Sequence, residues 1–204
     1  MGNSEYAMSF STGGLFRRES LEAASLFLQS GSWDAVRKEI MAKNLLQART
    51  LSTLQRECRE VLSRLRLLNG EELRFLVEAE YREQGHLLWI AVCRRYPFIR
   101  DFAVEVLRER YITLKADVRY EEFDAFFNAQ SEAHPQLHEI SSTTRKKLRQ
   151  VLFKILRESE LLDSDNTIIP VMPGAELTAL ISRGNKRELL LFPVFESDLK
   201  GMTQ

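Results

Sequence analysis

Over residues 141–162 the chain carries a helical rhythm: Leu148, Val151, Leu152, Ile155 and Leu156 recur at i, i+3, i+4, i+7 and i+8. That spacing places all five on one face of a helix. Ser141, Ser142, Thr143 and Thr144 stand before them and offer N-cap oxygens to the unpaired amides of a helix start. At about 100° per residue, Lys146, Lys147, Gln150, Lys154 and Arg157 fall on the opposite side. No acidic residue lies between Arg145 and Arg157. After a turn at 163–166, two short apolar runs, 167–171 and 188–195, are expected to be strands, with a short helix over 175–183 between them. A basic helix followed by two short strands is the order of a winged helix-turn-helix, which makes DNA the first partner to consider.

Upstream, the same periodicity predicts helices over 19–29, Trp33–Lys43, 50–68, 71–82, 86–95 and 99–114. The run 87–93 is apolar on every side and belongs in the middle of a bundle. Arg49, Arg56, Arg59 and Arg66 lie within about 100° of one another on the outer side of the third helix. The second and third helices therefore make a helix-turn-helix candidate, with arginines leading its second member. A solvated amphipathic face is the alternative, because Glu57 and Glu60 are interleaved with the arginines. Arg94, Arg95, Arg108 and Arg110 are expected to pair with Glu105 and Glu109. Residues 115–120 read as a boundary, and an acidic helix over 121–132 follows it. The fold expected is mainly α: a multi-helix bundle with helix-turn-helix-like elements and a small winged-helix-like part. It divides into an N-terminal helical subdomain, 1–115, and a C-terminal subdomain, 116–204.

Charge sharpens this reading. The 204 residues hold 29 basic and 29 acidic side chains, so no global field draws the protein to polyanions, and any such binding must come from local patches. Cys58 and Cys93 have no CxxC partner and are expected to be buried thiols of a reducing compartment. The opening stretch lacks the basic and apolar regions of a secretory signal. The run 87–93 is far short of the ~20 residues needed to span a bilayer. A cytoplasmic protein with no membrane contact is expected.

The chemistry of catalysis is missing. His134 and His138 are spaced i, i+4, but no Cys or third His stands near them, so they read as structural or surface residues rather than metal ligands. No HExxH, GxSxG, Walker A or dinucleotide fingerprint occurs, and Gly13-Gly14 has no lysine in P-loop spacing. No catalytic residue, metal or cofactor is expected, and the protein is read as a non-enzyme.

Several segments together carry a resemblance. SFSTGGLFRRES (9–20), NLLQART with RECREVLSRL (44–65), LLWIAVCRRYPFIRDFAVEVLRE (87–109), STTRKKLRQVLFKIL (142–156) and FPV (192–194) resemble the BrxA family of the BREX bacteriophage-defence systems. The resemblance spans nearly the whole chain. It implies a cytoplasmic, largely helical protein, similar in part to the NusB fold, that binds double-stranded DNA without marked sequence preference and serves a multi-protein defence complex. It carries no catalytic motif and transfers no residue role.

For DNA binding the expected contacts are Arg145, Lys146, Lys147, Arg149, Lys154 and Arg157, with a second patch at Arg49, Arg56, Arg59 and Arg66. The hydroxyls of Ser142 and Thr143 at the helix start could hold a phosphate oxygen. The competing expectation is a protein–protein adaptor of the defence complex whose basic face meets an acidic partner. An RNA-binding reading rests on the NusB likeness alone.

Overall fold

The structure is a computed structural model that describes residues 6–195. Residues 1–5 and 196–204 lie outside it, taking with them the start of the stretch read for a signal and the end of the expected second subdomain. Six helices follow one another through short turns: α1 (Arg17–Ser30), α2 (Trp33–Lys43), α3 (Leu51–Leu65), α4 (Gly70–Glu78), α5 (Tyr81–Arg95) and α6 (Pro97–Phe102). Short polar side chains set their starts. Ser32 accepts from the Ala35 amide at α2, and Thr50 from the Thr53 amide at α3. Asn69 and Glu72 form a reciprocal capping box at α4.

Several boundaries differ from the expected ones, among them the end of α3 at Leu65 and the start of α5 at Tyr81. The helix expected over 71–82 stops at Glu78, where Ala79 turns extended. The Gln84 side chain donates to the freed Ala79 carbonyl at 2.9 Å, and α5 begins at Tyr81. The helix expected over 99–114 starts at Pro97, widens into a π-helical segment at Ala103–Arg108 and ends as α7 (Glu109–Ile112). Then come α8 (Tyr120–Ala133), a 3-10 segment at Pro135–Glu139, α9 (Ser142–Glu158), α10 (Ala175–Asn185) and a 3-10 helix at Lys186–Leu191.

The two expected strands do not form, and among the described residues the architecture is all-α. Around 167–168 only isolated bridges occur, Asp117 with Thr167 and Leu162 with Ile168. Pro170 and Pro173 follow at once and lack the amide protons a ladder needs. The run 188–195 coils instead, because burial and side-chain partners hold it to α5. Leu189, Leu191 and Phe192 are buried, and the Trp89 indole N–H donates to the Leu191 carbonyl at 3.0 Å.

One apolar core reaches from Tyr6 to Val194. Helix α5 lies inside it, with every residue from Gly85 to Cys93 buried. Phe98 is a second focus, in edge-on contact with Tyr6, Phe123, Phe126 and Phe127. Each such ring contributes about 1.5 to 3 kcal/mol by leaving water. The segment before α1 is held by polar contacts: the Leu15 amide donates to Glu158 Oε2 at 2.6 Å, and buried Arg64 donates to the Gly14 carbonyl at 2.7 Å. A Cβ at Gly14 would stand 2.3 Å from Glu158 Oε2, so a larger residue there would displace that carboxylate.

Candidate nucleic-acid interface

Helix α3 buries Leu54, Cys58, Val61, Leu62, Arg64 and Leu65. Arg56 and Arg59 fall between buried positions and are exposed, as is Arg66 at the end of the helix. Facing α2, they form a groove of about 440 Å³ lined by Arg37, Ser52, Gln55, Arg56, Arg59, Leu62, Ser63 and Arg66. Four arginines line it, and none of the lining residues is a carboxylate. Arg66 reaches Asp34 only at 3.9 Å, and that aspartate is 97% exposed, so solvent screens the pair. Arg56 is near Glu57, whose carboxyl is pushed up by burial and by Glu19 and pulled down by Arg56 and Arg18. Beneath the groove, burial raises the Cys58 thiol while Arg37 and Arg66 oppose the rise.

A fifth arginine borders the groove. Arg95 of α5 donates from Nε to Ser63 Oγ at 3.4 Å. Arg94 and Arg110, expected to pair with Glu105 and Glu109, meet other carboxylates. Arg94 spans Glu72 at 2.6 Å and Glu188 at 2.8 Å, and Arg110 spans Asp117 and Glu122.

Helix α9 divides the basic residues expected on it. Arg145 donates to Asp124 Oδ1 at 3.0 Å and to Asn128 Oδ1 at 2.7 Å, with its guanidinium over the Phe127 ring. Arg149 donates to the other oxygen of Asp124 and lies over Tyr120. These two arginines fasten α9 to α8. Arg157 donates to Asn166 at 2.8 Å and holds the turn after the helix. Lys146, Lys147 and Lys154 are exposed, and Lys154 lies 3.6 Å from Glu158. Ser141 caps the helix by accepting from the Thr144 amide. Thr143 is exposed, and Ser142 lines a cavity shared with Glu132, His138 and Arg145. Arg49 is exposed in the turn before α3 and is not among the groove residues.

The structure therefore brings Arg56, Arg59 and Arg66 together and adds Arg37, which the sequence reading did not single out, and Arg95, which it assigned to ion pairing. Arg37 had a signal: on α2 it sits one position after buried Val36 and three before buried Ile40, beside the face that meets α3. Arg95 had none, because its place depends on how α5 packs against α3.

The sequence profile of the BrxA family matches residues 4–185. The chain belongs to the BrxA family. The BREX protein BrxA of Escherichia coli O9:H4 (strain HS) is 28% identical over 180 residues, spanning 87% of this chain and 84% of that protein. The fold recurs in the crystal structure of an uncharacterized protein from Magnetospirillum magneticum, with a TM-score of 0.81 at 20% identity, covering 93% of this chain and 98% of that one. Among the described residues, no helix is long and apolar enough to cross a membrane.

Proposed function

We propose that this chain is a non-catalytic, DNA-binding component of a BREX phage-defence system, acting with other components of that system. The name of its Escherichia coli relative supports the place in BREX. The observation that carries DNA binding is the α2–α3 groove, lined by four arginines with no carboxylate among the lining side chains. Arginine suits this task because its planar fork donates two parallel hydrogen bonds to a phosphate and keeps its charge at any working pH. Each neutralised phosphate releases condensed counterions, so affinity falls steeply with salt and depends little on base sequence. The groove offers no aromatic side chain for base stacking, which favours a duplex backbone over splayed single strands. Lys146, Lys147 and Lys154 are a second exposed basic set on α9. Arg145, Arg149 and Arg157 are assigned to holding the fold.

A salt series on one labelled duplex, with an unrelated duplex and an RNA hairpin as competitors, tests the proposal. A linear fall of log affinity with log salt and equal competition by both duplexes are expected. Absence of binding at low salt would overturn it. The neutral overall charge would then favour the adaptor reading, in which the basic surface meets an acidic protein partner.

A further inference from the structure

The same groove has a shape that a duplex does not need. A DNA backbone runs across a surface and can be held by side chains spread along it. Here Arg37, Arg56, Arg59 and Arg66 line one concavity of about 440 Å³, a size within the ~300–1,000 Å³ range of small-molecule sites. Ser52, Gln55 and Ser63 add neutral hydrogen-bonding groups to the lining, and Leu62 is its one apolar member. A ligand there meets cationic forks and neutral polar groups, with nothing to stack a base. The chemistry it fits is a compact anion with several charged oxygens, which is a chain of phosphates.

We propose that the α2–α3 groove is a discrete site for free polyphosphate, either inorganic pyrophosphate or the phosphate tail of a nucleotide, and that this ligand competes with DNA for it. The inference rests on reading the groove as a phosphate-binding surface and adds a second ligand class and a means of regulation. A phosphate chain puts its charges inside the concavity, where all four guanidiniums reach it. A duplex engages the same arginines from the rim. Binding of one excludes the other, so rising polyphosphate releases DNA.

The test is isothermal titration of the full chain with sodium pyrophosphate, ATP, orthophosphate and sulfate. It is paired with duplex binding in pyrophosphate against KCl of equal ionic strength. One pyrophosphate per chain is expected, bound at least ~10-fold more tightly than orthophosphate because more forks are engaged. ATP matching inorganic triphosphate, titrated alongside, would assign recognition to the phosphates, and ATP binding more tightly than triphosphate would assign the site to nucleotides. The double variant R37A/R59A should lose the titration signal while its thermal melt and helical circular dichroism persist. K43A/R183A, with the same charge change outside the groove, should keep it. Retained binding in folded R37A/R59A would overturn the site. A duplex that binds yet is displaced no better by pyrophosphate than by KCl would overturn the competition and leave DNA binding standing. Pyrophosphate binding without duplex binding would support the site and overturn the DNA reading.

Discussion

Tyr96 Oη donates to Glu60 Oε1 at 2.5 Å, and Arg64 Nε donates to that same oxygen at 2.8 Å. The tyrosine is wholly buried. Burial first, then the Glu60 charge and the hydrogen bond, push its pKa up to about 12 from 10.0. The folded state thus keeps a proton that the unfolded chain gives up sooner. The stabilisation is complete below the unfolded value of ~10 and is lost as pH rises toward ~12, to the extent of about 2 to 3 kcal/mol. Tyr6 is raised in the same sense by burial and by its bond to Asp101. Urea midpoints measured between those pH values should fall, and fall less in Tyr96→Phe.

Reversing two arginines of the groove separates binding from folding. Arg56 and Arg59 are exposed, so R56E/R59E should melt within a few degrees of wild type. Its affinity for duplex should drop at least ~10-fold, and the slope of log affinity against log salt should flatten by roughly 0.9 for each phosphate no longer neutralised. Fluorescence anisotropy at several salt concentrations reads both quantities.

Asp124 is the counterpart to that experiment. It receives Arg145 and Arg149 together, and its side chain is 38% exposed. Asp124→Ala leaves two half-buried guanidiniums without their carboxylate. A destabilisation of about 1 to 2 kcal/mol is expected once solvent screening is allowed for. Duplex affinity at the groove should stay within twofold of wild type. A large loss of affinity in a folded D124A protein would return these arginines to the interface.

The segment before α1 can be tested through Gly14. Gly14→Ala forces the Glu158 carboxylate away, because the new methyl would stand 2.3 Å from Oε2. The Leu15 amide loses its acceptor, which should cost about 1 to 3 kcal/mol in a denaturant titration. Exchange of the Leu15 amide with deuterium should accelerate.

Most of the helical frame was legible because its signals are local. Apolar spacing marks α2 closely, and the hydroxyls from Ser141 mark the start of α9. The tail from Glu188 was not legible, since a short apolar run reads equally as strand or buried coil, and the Trp89 and Arg94 contacts that decide it come from about a hundred residues away. The interface divides in the same way. Arg56, Arg59 and Arg66 share a face of one helix and could be grouped by wheel. That α9 gives up Arg145 and Arg149 to Asp124 is a property of how α8 packs. Charge counting along one helix does not see an acid delivered by another.

The contacts of the tail also bear on when this protein can fold. Trp89 waits for the Leu191 carbonyl across 102 residues, and Arg94 for Glu188 across 94. The Leu15 amide waits for Glu158 across 143. A chain still emerging from the ribosome can coil α1 through α5, but the buried central helix stays partly uncovered until the last segment arrives. Completion is therefore late and set by long-range closure. Chains stalled before residue 186 should be the species that chaperones hold.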